Sequence, residues 1–156
     1  MLDDQELLDR FRASALTAFP HEYHVRLAHL LIDERGEAAA AEEFMQGLRN
    51  LARNFGALPS MLHVTRTLAW IRLIAAAGGR GESTASFLAA HPELRRKNLL
   101  DDYYSRHRLN SLRARRTFVE PDLQELPGTV VLPVSDSVPS VIERLCARGT
   151  PVATGG

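Results

Sequence analysis

Residues 20–54 read PHEYHVRLAHLLIDERGEAAAAEEFMQGLRNLARN, and the fold is decided there. Pro20 suits a first helical position, because its missing N–H would be unpaired there in any case. A helix follows to about Arg35 and stops at Gly36. The next run, residues 37–54, is rich in alanine, glutamate and leucine and ends at Gly56, which predicts a second helix with a glycine stop. Working outward, Leu7, Leu8, Phe11 and Ala15 carry amphipathic spacing over residues 3–17. Downstream, Ser60 reads as the N-cap of a fourth helix to about Ala77, closed by Gly78 and Gly79. Shorter helices are predicted over residues 83–91, 92–104 and 108–117. After Pro121 the character changes. The stretch from Gly128, GTVVLPVS, predicts an extended surface segment, residues 138–148 a short helix, and residues 149–156 a loose end. The expectation is an all-α, single-domain helical bundle over residues 1–127 with an irregular C-terminal extension over residues 128–156.

The 156 residues are 45% hydrophobic, enough for one domain with a real core, and carry 19 basic and 19 acidic side chains. A formal charge of zero lacks the global field that usually accompanies binding to nucleic acid or anionic membrane. No apolar run reaches bilayer length, and the acidic start Met1-Leu2-Asp3-Asp4 is unlike a targeting segment. A cytoplasmic protein with no membrane partner is therefore expected. Cys146, the sole cysteine, excludes an internal disulfide and a cysteine-rich zinc site.

Three histidines stand out. On a helical wheel, Tyr23, His24, Leu27, Ala28 and Leu31 share an apolar arc that His21 borders, whereas Glu22, Arg26, His29 and Asp33 take the other side. His63 lines up with Thr67, Trp70 and Ile74 on a helix that is apolar nearly all round. If helices two, three and four run up, down and up, helices two and four start at the same end of the bundle, and the three imidazoles converge there. A first-turn histidine feels the positive end of the helix dipole, which favours its neutral form.

Two chemistries follow. His21, His24 and His63 could ligate a single zinc, copper or iron ion, since i and i+3 positions can share a metal with a ligand from a neighbouring helix. The HEYH spacing is one residue short of the H-E-x-x-H pattern, so a metalloprotease reading fails. Alternatively, the imidazoles act as general acid and base, with Arg26, Tyr103 or Tyr104 placing an anionic or carbonyl substrate. The competing reading makes each of them a hydrogen-bonded core residue. Trp70 reads as core, and His29, His91 and His107 as exposed or capping. The arginines between Arg106 and Arg116 are expected to pair with Asp101, Asp102, Glu120 and Asp122 or to cover the end of the bundle, which argues against a nucleic-acid partner.

Several of these segments resemble an uncharacterised family of small helical bacterial proteins. They are Phe19-Pro-His21-Glu-Tyr-His24-Val-Arg26, then His63-Val-Thr65-Arg-Thr67, then Tyr104-Ser105 with Glu120-Pro121-Asp122-Leu123 and Leu126-Pro127. The likeness spans residues 19–127. It singles out His21, His24, Arg26, His63, Thr65, Thr67, Tyr104 and Ser105, and of these His21, His24, His63, Arg26, Thr67 and Tyr104 form the expected catalytic set. This chain has Leu62 and Val64 where that family tends to have tyrosine and glutamate. The resemblance implies no particular reaction and no cofactor. The reading is a small-molecule enzyme or metal-binding protein built on a histidine cluster, with a homodimer allowed. The rival is a helical adaptor that binds another protein through an apolar face.

Overall fold

A computed structural model describes residues 1–56 and 62–130. Among them run α1 (Asp4–Arg12), α2 (His21–Arg35), α3 (Glu37–Asn54), α4 (Val64–Ala77), α5 (Thr84–Ala90), two 3₁₀ turns (Pro92–Arg95 and Leu99–Asp102), α6 (Arg106–Leu109) and α7 (Leu112–Arg116), with no strand. The fold is all-α. The expected Ser60 cap, the 138–148 helix, Cys146 and the tail lie outside the described residues.

α2 and α3 form the expected pair, turning at Gly36, whose φ of 79° is open to glycine at no steric cost. α2 also packs on α4, and α4 on α7, so α4 sits centrally. Thr65, Leu68, Ala69, Ile71 and Ile74 of α4 are all buried. Pro20 is the N-cap of α2 rather than its first residue, and its carbonyl accepts from Tyr23 N–H at 2.9 Å.

Three expected helices are shorter or broken, each for a local reason. α1 stops at Arg12 because Ser14 turns left-handed at φ 54°, and the Ala15 N–H closes back on the Arg10 carbonyl at 2.8 Å. That turn lets Phe19 fold back onto Phe11, with ring centroids 6.1 Å apart. The expected 92–104 helix is instead two 3₁₀ turns. Leu94 and Leu99 are both buried, yet five residues of straight α-helix would set them about 140° apart. The 108–117 helix is split into α6 and α7 because Ser105 and Ser111 each cap the turn that follows, accepting from Arg108 N–H at 3.2 Å and Ala114 N–H at 3.1 Å.

α1 is seated against α3 at a glycine. The Phe11 ring occupies the space that a Cβ on Gly47 would need. Phe11 in turn contacts Phe44 at 5.7 Å, so an aromatic chain runs from α1 through Phe11 to Phe19 and Phe44.

Candidate functional site

The first two turns of α2, the C-terminal half of α3 and the first three turns of α4 line an open cavity of about 350 Å³. Its wall is mainly apolar: Phe19 and Val25 on the α2 side, Phe44, Leu48 and Leu51 from α3, and Trp70, Ile71 and Ile74 from α4. His21, His24 and His63 all line it, together with Arg66 and Thr67. The size and apolar lining with a few polar groups suit a small-molecule pocket.

The three imidazoles differ in their hydrogen bonds. His63 is not one turn inside α4 but is its N-cap. Its Nδ1 accepts from Arg66 N–H at 3.1 Å, so the proton sits on Nε2, which donates to the Leu109 carbonyl at 2.7 Å. Both nitrogens are thereby used. Burial lowers its pKa, the Leu109 carbonyl pulls the other way, and Arg66 and Arg115 add to the lowering. His21 donates Nε2–H to the Leu94 carbonyl at 2.9 Å and meets Trp70 edge-on at 4.7 Å. Its Nδ1 has no partner among the described residues.

His24 makes no hydrogen bond among the described residues. Its ring lies 4.1 Å from that of Phe19, 6.0 Å from Phe44 and 6.5 Å from His21, centroid to centroid. Burial first, and then the neighbouring His21, pushes its pKa down to about 4. It is therefore neutral at pH 7, with a donor and an acceptor nitrogen both available. Phe19 is the residue just before the cap and His24 the fourth of the helix, the two positions that a hydrophobic staple joins. That pairing was the sequence signal that could have placed Phe19 in the wall.

The expected three-histidine metal set is not assembled. With His63 saturated and Nε2 of His21 engaged, the ring nitrogens without a partner among the described residues are the two of His24 and Nδ1 of His21. No group of three His, Cys, Asp or Glu side chains is placed to share a metal ion among the described residues.

Several other expected residues stand elsewhere and hold the fold. Arg26 is 5% exposed, on the side of α2 assigned to water, and does not line the cavity. Its Nη2 donates to Asp4 Oδ1 at 2.9 Å and the Leu2 carbonyl at 2.7 Å, and its Nε to Thr84 Oγ1 at 3.1 Å. Burial pushes the Asp4 carboxyl up, but hydrogen bonds from Thr84 and the Arg26 guanidinium outweigh it and hold the carboxyl below its ordinary value. His29 is buried rather than exposed. It stacks on Phe87 at 4.0 Å and hydrogen-bonds the Glu82 carbonyl at 3.0 Å. Trp70, expected in the core, is half-buried and forms cavity wall.

Tyr104 is also outside the cavity. It is 1% exposed, its hydroxyl donates to the Val119 carbonyl at 2.8 Å, and burial, with Glu120 close by, pushes the phenol far above its ordinary pKa. The Thr65 hydroxyl donates to the Thr117 carbonyl at 2.9 Å and accepts from Val119 N–H at 3.2 Å. Asp122 accepts from Ser105 N–H at 2.8 Å and from its hydroxyl at 2.6 Å. Thr67 does line the cavity, but its hydroxyl donates back to the His63 carbonyl at 2.9 Å, leaving only acceptor capacity. Thr65, Tyr104 and Ser105 thus fasten residues 117–122 to the helices. Comparison with protein-family models, with curated proteins and with solved structures gives no match.

Proposed function

We propose that the chain binds an amphipathic small molecule in the cavity between α2, α3 and α4, and that His24 makes the polar contact. The apolar body lies against Phe19, Phe44 and Trp70. A hydroxyl, carbonyl or carboxylate meets His24, with the Arg66 side chain in the same wall favouring the carboxylate. One observation carries the reading: His24 is a neutral imidazole in an apolar wall with no hydrogen bond among the described residues, whereas His21, His29 and His63 each have one. His24 is half-buried in the cavity wall, so its nitrogens are open to water or to a ligand there.

If the site turns its ligand over, His24 is the group through which a proton passes. A pKa of about 4 makes it a weak base, so binding is the primary activity and acid–base turnover an extension of it. The adaptor reading has less support. Beyond Met1, the large apolar side chains exposed among the described residues are Phe55, Leu112 and Leu123, from three separate parts of the chain.

Trp70 is the only tryptophan, so its fluorescence reports occupancy directly. Titration with medium-chain alkanoates and matching alkanols should give a saturable change in emission. His24→Leu should weaken binding by about tenfold, the worth of one hydrogen bond, while apolar contact is kept. Emission that no member of the series moves, or equal affinity in the variant throughout, would overturn the proposal.

A further inference from the structure

The second unassigned feature lies on α6 and α7. Residues 106–116 hold five arginines and one histidine, and no acidic residue occurs between 103 and 119, although ten of the chain's nineteen lie in residues 1–56. The zero formal charge therefore hides a strong separation. α4, against which α7 packs, carries no acidic residue either.

The expected pairing of these arginines with nearby carboxylates does not form. Arg108 gives its Nε–H to the backbone carbonyl of Glu120, not to a carboxylate. Asp122 is occupied by Ser105. Asp102 pairs with Arg96 at 3.3 Å. Arg106, Arg113, Arg115 and Arg116 are all exposed and have no ion pair among the described residues. On α7, Ala114 is buried, which turns Leu112 and Arg116 outward with Arg113 and Arg115 to either side.

We infer that this face binds the phosphodiester backbone of a nucleic acid. Guanidinium groups match phosphate oxygens as a planar, bidentate fork. Leu112 is the only large apolar side chain exposed on the two helices, far less than an interfacial helix needs to enter a bilayer. None of these arginines lines the cavity.

The test is fluorescence anisotropy of a labelled oligonucleotide of about 30 nucleotides over a series of salt concentrations. Four phosphate contacts to a single strand give a slope of log affinity against log salt of about −3. Arg113→Glu with Arg116→Glu should lower affinity by at least about tenfold and halve that slope. The circular dichroism spectrum should be unchanged, because both side chains are exposed and neither is paired among the described residues. Arg80→Glu with Arg95→Glu changes the net charge equally at exposed positions on other elements and should leave binding nearly intact. Equal losses in both double variants would overturn the inference, as would no binding at low salt. It would also fail if polyglutamate bound as tightly as the oligonucleotide, or if only anionic vesicles bound.

Discussion

The cavity wall and the seam between α4 and residues 103–122 use similar side chains to opposite ends. At the seam, His63, Thr65, Tyr104 and Ser105 each reach a backbone or carboxylate partner, and His63 has no free nitrogen left. At the cavity, His24 keeps both nitrogens free among the described residues, although burial has already driven it neutral. A full set of hydrogen bonds marks a staple, and an unfilled one marks a place for something else. Residue type does not separate the two; the partner does.

The seam should break hardest. Tyr104→Ala removes a fully buried ring and its bond to Val119, and should cost roughly 3–5 kcal/mol in a denaturant melt. A loss below about 1 kcal/mol would mean that residues 117–122 are not held by this side chain. The cavity should be sensitive to pH instead. The folded-state pKa of His24 is depressed to about 4 from an ordinary 6.5, so the unfolded chain binds more protons between those values. Its share of stability is complete above pH 6.5 and is lost as pH falls towards 4, reaching about 3 kcal/mol. In His24→Leu that slope should flatten, with stability at pH 7 within about 1 kcal/mol of the parent because His24 makes no hydrogen bond among the described residues. Parallel curves for the two proteins between pH 6.5 and 4 would contradict the buried neutral imidazole. The depressed pKa of His63 acts in the same direction in both proteins and cancels in the comparison.

The smallest effect sharpens the contrast. Thr65→Val keeps the shape but strands Val119 N–H and the Thr117 carbonyl, and should cost about 1–3 kcal/mol. Hydrogen exchange at Val119 N–H should speed up without a change at the cavity. Faster exchange spread over α2 and α3 would show that the two regions are one cooperative unit.

Sequence patterns located much of this architecture. Gly36, Gly56, Ser83 and Gly78 mark helix boundaries that the structure keeps. The periodicity of α4 matches its central place. The misses share a cause. A helical wheel records polarity and not depth, and α2 is covered on its polar side by α5. Arg26 and His29 are therefore buried against partners that lie 58 and 53 residues away in the chain. Nor could spacing alone show that His63 would become a cap bonded to Leu109, since that requires α6 to fold back onto the start of α4. That His24 has no hydrogen-bond partner among the described residues was equally out of reach, because it depends on which groups fail to arrive.

The contact between Gly47 and Phe11 has one more consequence. Neither residue lines the cavity, yet Phe11 backs both Phe19 and Phe44, which do. Any side chain at position 47 displaces the Phe11 ring and moves that wall from behind. The shape of the cavity is thus heritable at two positions that do not line it, and it can drift through changes in α1 and α3 while every wall residue keeps its identity.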